Sequence, residues 1–313
     1  MHELSHECYG FQVECLLHPD TKTIAHRFLG PPLTQRVGQP HHGSPTVELR
    51  MVVSDAGDVA PVPPPYFPAD WEDADPIVIE LVSSRAVISP AAWTVHLELT
   101  RADLDNQIVW GRWLLEKAFL ILALRSGQHY GLHAGAIVIN GQPVIVTADS
   151  GVGKSTFIAH GLRRGAHFVG DDALIRHLCD DSGRYWGYPR AAHLSLEMIT
   201  SWPQLARAAS APVPGRNKLR VEWPPTFEDR FRPSVRPAAL LLLTREHTHI
   251  RPLDIDQAVE RCRSDFAAGK QDARALARVE ADVRAQFAKL ALLEFGLSSD
   301  LDANLDALVA ALC

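Results

Sequence analysis

Nine consecutive residues, Ala148-Asp149-Ser150-Gly151-Val152-Gly153-Lys154-Ser155-Thr156, bring together the groups that hold a polyphosphate. Gly151 and Gly153 allow the backbone to curl so that successive N–H groups turn inward, and a helix starting behind them adds the positive end of its dipole. Lys154 supplies a point charge for the β- and γ-phosphates, and the Ser155 hydroxyl is placed to ligate magnesium. Asp149, Ser150, Gly151, Val152, Gly153, Lys154, Ser155 and Thr156 are therefore the candidate nucleotide-binding residues. The usual pattern is G-x-x-x-x-G-K-[ST], and Ala148 stands here at its first glycine.

A second signal follows 17 residues beyond Lys154, where the apolar run Ala166-His167-Phe168-Val169-Gly170 ends in Asp171-Asp172. Two adjacent carboxylates can divide labour, one coordinating magnesium and the other accepting the proton of an attacking hydroxyl. An isolated Asp-Asp pair is more often a solvated turn. Its place at a strand end close to a phosphate loop favours chemistry, because α/β sheets put their ligands at such ends.

The elements that must position these groups are legible around them. Leu132 to Ile139 and Gln142 to Thr147 are apolar runs separated by Asn140-Gly141, a dipeptide suited to the positive φ of a type I′ hairpin turn. The second run leads into the loop, and Phe157-Ile158-Ala159 opens a helix after it. Upstream, short runs at Phe11 to Leu17, Val47 to Val53, Ile77 to Leu81 and Trp93 to Leu99 predict a β-rich N-terminal region, 1–100. The proline-rich Asp58 to Pro65 interrupts it as an exposed loop. Apolar spacing from Leu104 to Leu124 predicts a largely buried helix that opens a nucleotide-binding domain, 101–313. The Ala-, Leu-, Arg- and Glu-rich stretch from Asp256 to Leu312 predicts two or three C-terminal helices broken at Gly296, with many of its arginines on a solvated face. The fold class expected is α/β.

The order hairpin, phosphate loop, short helix, strand, Asp-Asp resembles HPr serine kinase/phosphorylase and its relatives, whose nucleotide domain is similar to that of ATP-dependent phosphoenolpyruvate carboxykinase. Leu132-His133-Ala134-Gly135 resembles the family's histidine-bearing strand start, and Gly170-Asp171-Asp172 its Ala-Asp-Asp element. The resemblance implies a P-loop kinase domain that uses ATP and Mg2+. It also implies that Asp171 or Asp172 activates the acceptor hydroxyl and that His133 lies near the transferred phosphoryl group. Pro212-Val213-Pro214-Gly215-Arg216-Asn217 looks like the mobile loop of those enzymes, which implies that Arg216 and Lys218 approach the phosphates; an ordinary Pro-Gly turn is the alternative. The resemblance spans about residues 130 to 220. The glycine- and isoleucine-rich signature that follows the Asp-Asp strand in the family has no counterpart, and Tyr185 to Arg190 and Leu194 to Glu197 occupy its place. HPr as substrate and the reverse dephosphorylation are thereby in doubt. Divergent members of this type accompany biosynthetic clusters for modified peptides, which implies a hydroxyl on a precursor peptide as acceptor. Glu197 reads either as a further magnesium-linked carboxylate, with Ser155 and Asp172, or as a residue that stabilises a helix dipole.

Composition excludes other classes. With 46% hydrophobic and 22% charged residues in 313, the chain has material for a sizeable core. A net charge of −6 gives no overall positive field for a nucleic acid or an anionic membrane. The longest apolar stretch, Trp113 to Leu124, contains Glu116 and Lys117 and falls short of a bilayer span, and no signal-peptide pattern opens the sequence, so a cytoplasmic location is expected. Five scattered cysteines propose neither a disulfide framework nor a zinc knuckle. His2-Glu3-Leu4-Ser5-His6 fits H-E-x-x-H, which needs a stable buried helix; at residue 2 no preceding helical turn supports one.

The reading is an ATP- and magnesium-dependent kinase acting on a serine or other hydroxyl of a peptide, protein or small molecule. A nucleotide-gated binding module and a small-molecule kinase remain as alternatives. The partners expected are ATP and a hydroxyl-bearing acceptor, with a homo-oligomer as one arrangement of the chain.

Overall fold

A run whose apolar residues recur at every second position can bury one face of a sheet and wet the other. In the computed structural model, which describes residues 2–22, 25, 29, 46–54, 71, 73–81, 83–104, 114–115, 117–187, 192–212, 218–221, 228–245, 249–263 and 273–312, the N-terminal runs do this. His2–Cys8 (β1), Phe11–Leu17 (β2), Thr46–Ser54 (β3), Ile77–Glu80 (β4), Arg85–Ser89 (β5) and Thr94–Thr100 (β6) form one six-stranded sheet in the order β1-β2-β3-β6-β5-β4. Phe11, Val13, Cys15 and Leu17 of β2 share the buried face with Val47, Leu49 and Met51 of β3. Tyr9 and Gly10, both at positive φ, make the tight turn between β1 and β2.

The H-E-x-x-H segment is thus a strand. Residues four apart on a strand are separated by ~13 Å, too far for two histidines to share one zinc ion.

The chain divides into two units: 1–129 with 177–180 and 268–272, and 130–176 with 181–267 and 273–313. The helix Lys117–Arg125 belongs to the first unit, where it packs on β5 with Ala118, Phe119, Ile121 and Leu122 buried. Of the helix expected over Leu104 to Leu124, the described parts are Arg101–Leu104 and Lys117–Arg125; residues 105–113 and 116 lie outside those described. The Asp58 to Pro65 loop also lies outside them.

The second unit is mixed α/β. It contains His129–Leu132 (β7, whose first residue falls in the other unit), Gly135–Ile139 (β8), Gln142–Ala148 (β9), His167–Gly170 (β10), Leu174–His177 (β11, whose last residue falls in the other unit), Tyr185–Gly187 (β12), Ala192–Ser195 (β13), Ala209–Pro212 (β14), Lys218–Val221 (β15), Ser234–Val235 (β16), Ala239–Thr244 (β17), Ile250–Pro252 (β18) and Ala291–Gly296 (β19). A six-stranded sheet runs β10-β8-β9-β17-β19-β18. β8 is antiparallel to both β9 and β10, and β17 is parallel to both β9 and β19. The carboxyl ends of β9, β10, β17 and β19 therefore share one edge with the amino end of β8. Val144, Val146, Leu241, Leu243 and Phe295 on one face of this sheet form a core with Phe157 and Ile158 of the helix Lys154–Arg163 and Leu305 and Leu308 of Leu301–Leu312. Smaller sheets, β16-β12-β11-β7 and β13-β15-β14, complete the unit.

The C-terminal helices are Ile255–Arg263, Ala273–Phe287 and Leu301–Leu312, but Ala291–Gly296, where a helix was expected to run up to a break at Gly296, is strand β19. An apolar run this short fits either state locally, and the parallel register Ala239↔Ala291 to Thr244↔Gly296 with β17 decides it. Among the described residues no helix is long and apolar enough to cross a membrane.

Candidate active site

The hairpin turn forms as its sequence requires, with Asn140 at φ 49° and Gly141 at φ 80°. It returns the chain as β9, which ends at Ala148. Gly151 and Gly153 then adopt φ of 87° and 126°, the left-handed region open to glycine, and the helix begins at Lys154 with Gly153 as its N-cap. The Asp149 carbonyl accepts the Val152 N–H at 3.2 Å, closing the turn.

Lys154 lies at the first helical position, 8% exposed. Its Nζ is 3.4 Å from His133 Nε2 and 3.5 Å from Asp172 Oδ1, while His133 Nδ1 is 3.3 Å from the same Asp172 oxygen. An ammonium can only donate, so His133 Nε2 accepts and the imidazole proton sits on Nδ1, facing the Asp172 carboxylate. His133 is in the bend between β7 and β8, at the amino end of β8 and hence at the same sheet edge as the loop.

Gly135 makes this approach geometrically feasible. A Cβ there would lie 2.2 Å from Ile158 Cδ1, 2.8 Å from the Gly170 carbonyl oxygen and 2.9 Å from that of Asp171.

The two aspartates have different environments. Asp172 is half-exposed, its side chain 46% accessible. Asp171 is 3% exposed, and among the described residues its Oδ1 has no hydrogen-bond partner. Burial pushes the Asp171 pKa up to about 6 from 3.8; Lys154 and the Ser155 hydroxyl oppose the shift, Asp172 adds to it, and Lys218 opposes it. Lys218 opens β15 opposite Ser195 of β13, and Ser195 caps the helix Leu196–Ser201, in whose first turn Glu197 is exposed. Arg216, with residues 213–217, lies outside those described.

Two arginines not singled out from the sequence stand beside the loop. Arg245, directly after β17, donates from Nε to the Val152 carbonyl at 3.0 Å, and Arg261 Nη1 is 3.5 Å from Asp149 Oδ2. The signal for Arg245 was its position after the apolar run Ala239 to Leu243, a strand that the parallel sheet had to accommodate.

The Asp171 oxygen that lacks a hydrogen-bond partner among the described residues is an acceptor of the kind a hard cation satisfies. Among the described residues no group of three or more His, Cys, Asp or Glu side chains forms a metal cage, so a magnesium ion here would take most of its ligands from phosphate and water.

No protein-family model matches the chain, and no curated protein matches it. Among solved structures, the HPr(Ser) kinase/phosphatase from Coxiella burnetii is similar over 58% of this chain and 92% of its own, at 14% identity and a TM-score of 0.31. At that level of similarity the functional reading rests on the geometry of the site itself.

Proposed function

We propose that this chain binds ATP as its magnesium complex in the loop Asp149–Thr156 and transfers the γ-phosphoryl group to a hydroxyl. The observation that carries the reading is the meeting, at one sheet edge, of a glycine-curled loop that opens a helix with Lys154, His133 and Asp172 mutually within 3.5 Å. Phosphoryl transfer needs little covalent chemistry from a protein; it needs positioned phosphates, neutralised charge and an oriented nucleophile.

In this reading the loop amides and Lys154 hold the β- and γ-phosphates. Ser155 and the buried Asp171, in place of the Asp172 named from the sequence, would hold the magnesium ion, which would neutralise phosphate charge, with Glu197 as a candidate outer carboxylate. Asp172, which solvent reaches, accepts the proton of the attacking hydroxyl at a carboxylate oxygen. His133 contacts both Asp172 and Lys154 and so shares the interaction that the two groups make with each other. Lys218, which opens β15, approaches the transferred group, and Arg216, as the resemblance implies, does so with it. A serine on a precursor peptide is the acceptor class carried forward from the sequence, and a small-molecule hydroxyl on the same site is its competitor.

The experiment is transfer from γ-labelled ATP to a panel of serine-containing peptides, for wild type and Lys154→Ala. Transfer by the wild type and its near-complete loss in the variant are expected. Label released only as inorganic phosphate and never found on any acceptor would favour the nucleotide-gated module instead.

A further inference from the structure

The phosphate loop is clasped from outside by a residue that the proposed chemistry does not use. β17 is parallel to β9 with Leu243 opposite Ala148, so the chain leaves β17 beside the start of the loop. Arg245 is the second residue beyond Leu243, and its Nε donates to the Val152 carbonyl at 3.0 Å. The neighbouring strand β19 also closes on the loop, since a Cβ at Gly153 would meet Leu297 Cδ1 at 3.6 Å.

The Val152 carbonyl and the Gly153 N–H belong to one planar trans peptide, in which C=O and N–H point in opposite directions. An arginine that fixes where the oxygen points therefore also fixes where the amide points. Gly153 sits at φ 126°, so the plane of this peptide is not held by ordinary side-chain sterics and can rotate. The Val152 N–H is already taken by the Asp149 carbonyl, and among the described residues no acceptor takes the Gly153 N–H.

We infer that Arg245 is a positioning residue for the nucleotide: by holding the Val152 carbonyl outward it turns the Gly153 amide into the phosphate site. The inference rests on the reading of Asp149–Thr156 as a nucleotide loop. Without the clasp the 152–153 peptide can flip, presenting a carbonyl oxygen to the phosphates where an N–H donor is needed, which replaces an attraction by a repulsion.

Glutamine is the discriminating substitution, because its Nε2 lies as many bonds from Cα as the arginine Nε. It keeps the donor to Val152 and removes the charge and both Nη groups. Mg-ATP affinity is measured by calorimetry for wild type, Arg245→Ala, Arg245→Gln and Lys154→Ala, with thermal unfolding of each without nucleotide. Arg245→Ala is expected to weaken Mg-ATP about tenfold or more at an unchanged melting temperature. Arg245→Gln is expected to recover most of that loss. Wild-type affinity in Arg245→Ala alongside lost binding in Lys154→Ala would overturn the clasp and leave the nucleotide site standing. A glutamine variant as weak as the alanine one would also overturn it, since the charge rather than the carbonyl contact would then matter. Unaltered binding in Lys154→Ala would overturn the nucleotide loop itself, and the clasp with it.

Discussion

The imidazole of His133 contacts both members of the Lys154–Asp172 pair, 3.4 Å from the ammonium and 3.3 Å from the carboxylate oxygen, while those two groups are 3.5 Å from each other. A lysine committed to a full ion pair holds phosphate poorly, and a carboxylate committed to a lysine is a weak base. The ring keeps the contact shared. Replacing His133 by Ala lets the pair close, and phosphoryl transfer is expected to fall ~10- to 100-fold. Because the His133 side chain is 47% exposed, thermal stability should barely change. A steady-state assay alongside thermal unfolding separates the two effects; unchanged transfer would remove His133 from the mechanism.

Asp171 gives a stability signature of opposite sign to its functional one. Its pKa is raised to about 6 in the fold against 3.8 when unperturbed, so its contribution is fully present below about 3.8 and is lost as pH rises through 6. In metal-free buffer at pH 7.5, Asp171→Asn should therefore be more stable than wild type by up to about 3 kcal/mol. The gap should shrink as pH falls below 6 and be gone near pH 4. Phosphotransfer should fall ~10²- to 10⁴-fold in the same variant. Denaturant melts across pH test the first expectation, and a variant less stable than wild type at pH 7.5 would contradict it.

Gly135→Ala tests the close approach beneath the aspartates. Ile158 Cδ1 can swing aside, but the Gly170 and Asp171 carbonyls are backbone and can yield only by moving the strand that carries both carboxylates. A loss of ~1 to 3 kcal/mol is expected from the overpacking, with transfer reduced beyond what the unfolded fraction explains. Full activity in the folded variant would show that the aspartates do not need this register.

In the first unit, His129 is buried with Nε2 2.8 Å from the Tyr9 carbonyl and Nδ1 2.7 Å from Ser126 Oγ. Burial, with a smaller effect from His177, holds its pKa well below 6.5. The folded state keeps it neutral while the unfolded chain takes up a proton, so its stabilisation is present above pH 6.5 and is lost as pH falls below it. His129→Gln should be less stable at pH 7.5 but show a flatter decline from pH 6.5 to 5. Parallel declines in the two proteins would contradict the assignment.

The local signals were reliable where glycine or a short polar turn dictated the backbone. Asn140-Gly141 made its hairpin, the loop glycines took positive φ, and the runs at Phe11 to Leu17 and Val47 to Val53 became strands with the alternation they displayed. His2 to His6 shows the limit: its spacing fits a helical metal site, yet pairing with Phe11–Leu17 makes it a strand. Ala291 to Gly296 shows the same limit in reverse, since no property of six residues reveals the parallel partner that turns an expected helix into a strand.

The sequence alone determined the chemistry on offer: a glycine-curled loop with Lys154 and Ser155, an Asp-Asp pair after an apolar strand, and a histidine ahead of the hairpin. Side-chain types, turn propensity and short-range spacing are local properties and can be read one residue at a time. The tertiary structure decided which groups meet and in what state. Strand order brings the ends of β9, β10 and β17 to the same edge as the start of β8, and so sets His133 against Lys154 and Asp172 and Arg245 against Val152. Burial then separates two aspartates adjacent in sequence, leaving Asp172 open to solvent and raising the pKa of Asp171. Desolvation and proximity depend on segments far apart in the chain, and only the folded sheet brings those segments together.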